Sequence, residues 1–294
     1  PMVGLLVVII TLFIVTKNYE SKERMSQFKR QAEQLHSHFQ ERLNAGVEVL
    51  YSLRSFFISS VYVDSHDFSK FTKYTLARYP EIQALEWIPR LHHSLRPEYE
   101  SSSGGSPDIV RQILERDELG SFQPAAERDF YYPITYIEPF KGNERAFGYD
   151  VASHPTAKQA LYRARETNGL SFTAPITLVQ ESGEQRGVVA YLQINHGWVD
   201  AGLSNEGVVA AVYRMGDFIG SVLESREDLA SYIDIELFDI TDDPKLIFSS
   251  VNESMIRNIN LKWSSDYIIG GRSYQFKYTA KPGFYMLLFQ WSSW

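Results

Sequence analysis

The sequence contains no cysteine. That absence removes disulfide staples, thiolate metal sites and cysteine nucleophiles together; it leaves the compartment open, although a chain without stray thiols suits an oxidising one. A block of Lys and Arg is also missing. Twenty-nine basic residues are outnumbered by 36 acidic ones and the formal net charge is -7, so nothing here neutralises a phosphate backbone and nucleic acid is not an expected partner. Glycine-rich phosphate loops, His-Glu-x-x-His, Gly-x-Ser-x-Gly and GGDEF-like runs are all absent, which excludes the usual catalytic signatures. The 7 His residues are scattered. His36 and His38 stand two apart and His92 adjoins His93, spacings that do not put two rings on one helical face as a metal site would need. The acidic neighbours Glu115/Asp117 and Glu127/Asp129 read as charged turns rather than an acid–base pair. No catalytic residue, metal ligand or cofactor is expected.

What is present is apolar and aromatic. The chain has 294 residues, 44% of them hydrophobic, with 18 Phe and 18 Tyr, enough to build about two domains or one elaborate one. Residues 2–16 carry no charge (MVGLLVVIITLFIVT) and are followed by the polar run KNYESKERM. A membrane span needs ~20 apolar residues, so residues 1–16 read as part of a transmembrane helix. A signal-peptide core and a buried soluble helix are the alternatives. After Lys281-Pro282-Gly283 comes a second apolar, aromatic run over 284–294 that includes Trp291 and Trp294. It reads as the start of another membrane helix, with a final core strand as the alternative. Both readings together place residues 17–283 outside the membrane.

Between Ser21 and Ser60 there is no Pro, and Met25, Phe28, Ala32, Leu35, Phe39, Leu43, Gly46, Leu50, Leu53 and Phe57 recur at spacings of three and four. This predicts a stalk helix over 17–66 with a heptad-like seam. Two uses of the seam are open: a parallel homodimer through Leu35, Phe39, Leu43 and Leu50, or a helix that covers its own domain. Beyond it, helices are expected at 68–80, 109–119 and 156–167. Strands are expected at 82–88, 130–137, 170–178, 187–194 and 207–213, then at 232–240, 246–251, 265–269 and 273–278. The order is that of an α+β fold, antiparallel sheets with helices on one face.

Several blocks, in order, resemble the CHASE domain, the extracellular sensor of cytokinin receptors and of many bacterial transmembrane signalling proteins. They are Ala77-Arg-Tyr-Pro-Glu-Ile-Gln-Ala-Leu-Glu-Trp-Ile88, Pro124-Ala-Ala-Glu-Arg-Asp129 leading into Tyr131-Tyr-Pro-Ile134, Ala164-Arg-Glu-Thr167, Phe172-Thr-Ala-Pro-Ile176 and Gly187-Val-Val189. The resemblance implies a membrane-distal PAS-like ligand-binding domain over 67–220 and a membrane-proximal PAS-like domain over 221–283. It implies a pocket for a planar or amphipathic small molecule lined by Tyr131, Pro133 and Tyr136 on one strand, Thr173 and Leu178 on the next, and Val188 and Tyr191 on a third. The plant receptors place an Asp five or six residues after the Pro; this sequence offers Glu138 there. An ordinary aromatic core accounts for the same residues. The functional expectation is a membrane-bound sensory ectodomain on the periplasmic or extracellular side, without catalysis of its own. A ligand-independent dimerisation spacer and a membrane-tethered enzyme are the alternatives. Asn252-Glu-Ser254 is a glycosylation sequon that has meaning only in a eukaryotic secretory route.

Overall fold

A computed structural model describes residues 2–102, 111–178, 186–195, 206–251 and 261–284. The sequon and all but the first residue of the expected second membrane run lie outside the described residues. The chain opens with one unbroken helix, α1 (Met2–Ser59), followed by α2 (Ser65–Arg78). Asp64 caps α2, its carboxylate accepting from the Asp67 amide at 2.8 Å, which satisfies a donor that the helix leaves without a partner. Then come β1 (Ala84–Pro89), β2 (Leu91–His92), α3 (Arg96–Ser101), β3 (Leu114–Arg116), β4 (Phe122–Pro124), β5 (Phe130–Tyr131), β6 (Tyr136–Glu138) and α4 (Pro155–Thr167). After α4 follow β7 (Leu170–Phe172), β8 (Ile176–Thr177), β9 (Arg186–Ile194), β10 (Gly207–Arg214), α5 (Met215–Ser225) and α6 (Glu227–Ala230). Strands β11 (Ile233–Asp239), β12 (Lys245–Ser249), β13 (Lys262–Ile269) and β14 (Arg272–Ala280) complete the order.

The strands form two principal antiparallel sheets. One runs β6-β1-β10-β9-β7 with β8 also on β9; the other runs β12-β11-β14-β13. This is the expected α+β architecture, a long N-terminal helix followed by two PAS-like sheets. The expected boundary at 220/221 falls inside α5.

α1 has two halves with opposite surroundings. Its first turns are exposed, Leu6, Ile10 and Phe13 among them. An 18-residue window there is apolar enough to cross a membrane by length and composition. From Phe28 onward one face is buried: Phe28, Ala32, Leu35, Leu50, Leu53 and Phe57 are wholly covered, and Phe39 and Leu43 nearly so. They pack on both sheets of the same chain. Phe39 meets Phe276 with ring centroids 5.5 Å apart, and Phe57 stacks on Trp87 at 4.5 Å. Gly46 completes the seat, because a Cβ there would collide with the Tyr213 hydroxyl. The proposed homodimer seam is therefore corrected: Leu35, Phe39, Leu43 and Leu50 serve the chain's own core. A heptad-like period fits either use, since a helix lying along a sheet needs the same stripe as one facing a partner helix.

Three expected elements change form. No helix forms among the described residues of 109–119. Leu114 instead holds the chain extended, donating from its amide to the Gly148 carbonyl at 2.9 Å and accepting from the Asp150 amide at 2.8 Å. The strand expected at 130–137 is divided, with Tyr131 opposite Leu91 in one ribbon and Tyr136 opposite Trp87 in the main sheet. Pro133, which has no amide hydrogen, lies at the break. The strand expected at 170–178 breaks at Thr173-Ala-Pro175, where the Thr173 hydroxyl accepts the Val189 amide at 3.0 Å while Thr173 donates to the Val189 carbonyl at 2.9 Å.

A candidate ligand cavity under the distal sheet

Strand alternation gives the β6-β1-β10-β9-β7 sheet two different faces. Leu85, Trp87, Tyr136, Val188, Ala190, Val209 and Tyr213 point into the core shared with α1. Ala84, Ile88, Ile137, Val189, Tyr191, Val208, Ala210 and Val212 point the other way, under α4 and the connection from β5 to α4. On that second face lies a cavity of about 40 Å³, partly open to solvent. Its floor is Glu86 of β1, Val212 of β10, and Val189 and Tyr191 of β9. Its walls are Ile134, Tyr149 and Val151 on one side and Ile176, Thr177 and Leu178 on the other. Ala157 of α4, His154 before it and Arg116 of β3 close it.

The central row of the floor is set by register. Glu86 pairs with Ala210, and Ala210 with Tyr191, so the carboxyl and the phenol stand on one face two strands apart, roughly 10 Å between backbones. Only the methyl of Ala210 rises between them. Glu86 is fully buried with no hydrogen-bond or ion-pair partner among the described residues, and burial alone pushes its carboxyl pKa up to about 8. Burial also holds the Tyr191 phenol well above its ordinary value, with the Glu86 charge adding to the effect. A buried acid without a partner is costly as an anion. It is therefore mostly neutral at pH 7 until something supplies a counter-charge or a hydrogen bond.

The frame around the cavity is tied down. Asp150, buried, accepts from the amides of Tyr132 at 2.9 Å and Ala152 at 3.1 Å and from the Arg128 guanidinium at 3.0 Å. Arg128 also pairs with Glu115. Burial keeps the Asp150 carboxyl above its usual range in spite of those donors. His154 caps α4, its Nδ1 accepting from the Ala157 amide at 3.4 Å. Desolvation, and then the neighbouring Arg116 charge, lower the His154 pKa, so a neutral ring with its proton on Nε2 suits the site.

Of the expected site residues, the cavity brings together Leu178 and Tyr191. Val188 lies three residues from Tyr191, so a period of two sends it to the α1 face. Tyr136 faces that same side, packs on Phe68 and reaches the Val63 carbonyl at 3.4 Å. Glu138, opposite Leu85, shares the Leu85 side at the sheet edge and is half-buried. Tyr131 sits in a separate small core with Leu91, Tyr99 and Ile113, its hydroxyl held by His93, Arg96 and the Arg128 amide. Pro133 bridges to Asp150, outside the lining. Thr173 spends its hydroxyl on the Val189 amide. The acid missed was Glu86, and a signal existed: a lone charge inside Ala-Leu-Glu-Trp-Ile, on the same side of the strand as Ala84 and Ile88. Among the described residues no group of three His, Asp or Glu could hold a metal ion.

A long helix laid over two antiparallel sheets, with a cavity beneath the first, frames the candidate site. The chain belongs to the CHASE domain family, whose model matches residues 61–248, more than half of its length. No curated protein matches it. Among solved structures it is similar to an extracellular ligand-binding receptor from Desulfohalobium retbaense, with 11% identity and a TM-score of 0.50, covering 86% of this chain and 39% of that one. It is also similar to the periplasmic sensory domain of the Campylobacter jejuni chemoreceptor Tlp1, with 12% identity, a TM-score of 0.49 and coverage of 88% and 93%. A third is the ligand-binding domain of the Pseudomonas aeruginosa amino acid chemoreceptor PctC in complex with GABA, with 12% identity, a TM-score of 0.45 and coverage of 83% and 94%. The chain thus spans well under half of the first of these. At such identities the likeness is one of fold.

Proposed function

We propose that this chain is the extracytoplasmic sensory part of a membrane-bound receptor, with no catalysis of its own, and that a small molecule occupies the cavity over Glu86, Ala210 and Tyr191. The observation that supports it most is the pairing of a mainly apolar and aromatic enclosure with one unpartnered buried carboxyl, Glu86, the form of a recognition site rather than of a finished core. The exposed apolar start of α1 serves as the membrane anchor.

A route outward is built into α4. Its first turn lines the cavity through Ala157. Further along, the Arg163 guanidinium donates to the Ser171 hydroxyl at 2.9 Å and to the Phe172 carbonyl at 2.6 Å. The Phe172 amide donates in turn to the Gly270 carbonyl at 2.9 Å. Gly270 and Gly271 form the β13–β14 turn with φ of 56° and 74°, and a Cβ on Gly270 would strike Phe172. A ligand that shifts α4 therefore acts on the second sheet through this joint, to the extent that it binds one arrangement better than the other.

The test is thermal unfolding of the full chain in lipid nanodiscs against adenine derivatives, flat amphipathic metabolites and amino compounds, with mass spectrometry of anything that co-purifies. A true ligand at 100 times its Kd adds about 2.7 kcal/mol, and Leu178→Trp, which fills the cavity, abolishes the shift. No shift with any compound and no co-purified molecule would refute the reading.

A further inference from the structure

The seat of α1 on the second sheet contains a buried base that has no part in the cavity. His36 lies in the apolar stripe beside Leu35 and is only 5% exposed. Its Nδ1 stands 3.1 Å from the Tyr278 hydroxyl. Three aromatic rings meet it nearly edge-on, with centroids at 5.2 Å for Phe276 of β14, 5.7 Å for Trp263 of β13 and 6.0 Å for Tyr278 of β14. Its Nε2 is buried and has no hydrogen-bond partner. The neutral ring tolerates this place when Nδ1–H donates to the Tyr278 oxygen and Nε2 keeps only a lone pair. The imidazolium does not fit it, because a second N–H and a full charge would then stand among aromatic rings with no acceptor.

Charged groups on the surrounding elements are directed elsewhere. On α1, Lys29 pairs with Glu33 at 3.6 Å and His38 reaches the Ser225 hydroxyl at 3.0 Å. Strand pairing sets Asp234, Glu236, Lys262, Asp266 and Lys277 on the sheet face away from α1. Asp239, on the near face, is taken by Arg272 at 2.6 Å. Asp217, Glu224, Glu227 and Asp228 of α5 and α6 are exposed. Tyr278 is the titratable group in contact, its phenol held well above its ordinary value by burial. We propose that His36 is a proton-sensing residue: uptake of a solvent proton at Nε2 releases α1 from the second sheet while the first sheet keeps its hold. That hold includes Arg42, which donates to the buried Glu81 carboxylate at 2.9 Å, and the stack of Phe57 on Trp87. Desolvation lowers the His36 pKa, so the seat is at full strength above the ordinary value of 6.5 and weakens as pH falls below it toward the lowered folded value. Acid is thereby a second input, separate from any molecule in the cavity, and it enters the helix about 30 Å along its axis from Thr16.

The experiment is hydrogen exchange, read by mass spectrometry on the full chain in lipid nanodiscs at about pH 7 and pH 5, with rates normalised for the intrinsic effect of pH. Peptides of α4 are left out of the comparison because His154 titrates there. In the wild type, opening of Phe28–Phe39 and of β13 and β14 should rise roughly tenfold at the lower pH, while β9 and β10 change by less than about twofold. His36→Gln stays neutral at both pH values and should remove the rise. His36→Phe, which keeps a ring in the seat, serves in the same way if the glutamine variant fails to fold. A rise of the same size in the His36 variants overturns the inference. So does a rise in β9 and β10 in step with β14, which is acid unfolding of the whole chain rather than release of one seat. No rise in the wild type overturns it outright.

Discussion

Glu86→Gln changes the pH dependence of stability in a way that can be worked out beforehand. A glutamate with an ordinary pKa of 4.5 is held at about 8 by burial in the folded chain. The native state therefore keeps a proton that the unfolded chain has released. For an acid whose folded pKa is raised, the stabilising protonation is complete below the unfolded value and is lost as pH rises toward the folded one. Within that window the slope is about 1.4 kcal/mol per pH unit. Between pH 5.5 and 7.5 the loss comes to roughly 2.5 kcal/mol, about 5 °C in Tm for a chain of this size. Glutamine has no proton to lose, so the variant should lack this component. Thermal unfolding of both proteins without ligand, followed by circular dichroism at pH 5.5, 6.5 and 7.5, measures it, because other titrating groups cancel in the difference. Wild type should be the more pH-sensitive, losing Tm relative to Glu86→Gln as pH rises. Parallel curves across the three pH values would refute the claim that Glu86 is buried and without a partner.

Three further outcomes are expected. Phe57→Ala removes a ring that is wholly covered and stacked on Trp87, and should cost about 3–5 kcal/mol in denaturant unfolding. Arg128→Met leaves the buried Asp150 carboxylate without its cation and should cost roughly 3–5 kcal/mol at pH 8. A loss of under about 1 kcal/mol would count against the pairing. Leu35→Ala, buried against the chain's own sheets, should lower stability by about 2–5 kcal/mol and leave the sedimentation coefficient of the folded protein unchanged. Dissociation of a dimer without loss of stability would restore the seam reading.

Much of the framework was legible because it rests on periodicity. The three-and-four spacing from Phe28 to Phe57, and the Val- and Ile-rich runs that became β9 and β10, state their own form. The partner of the α1 stripe was not legible, since Leu35 or Leu50 presents the same apolar face to a sheet as to a second helix. Among the expected site residues, Leu178 and Tyr191 were found and the others were dispersed, because the division of 130–137 at Pro133 and the opposite parity of Val188 and Tyr191 depend on register. His154 and Arg116 come to the cavity from segments that have no periodic signal. Glu86 is legible in principle, as a charge between Leu85 and Trp87 on a strand whose every residue is buried, whereas Glu138 follows only from the spacing after Pro133 that the resemblance implies.

The unbroken length of α1 has a mechanical consequence. With a rise of about 1.5 Å per residue, the part seated on the sheets from Phe28 to Phe57 measures about 44 Å, and the overhang from Met2 to the seat, apolar over 2–16 and polar after it, adds about 39 Å. The overhang touches nothing else among the described residues. Its geometry is that of a lever arm: a tilt of about 3° in the seat would carry Met2 through about 2 Å, a distance set by helix geometry. A rearrangement of the two sheets too small to disturb their hydrogen bonds would reach the start of the helix as a larger displacement.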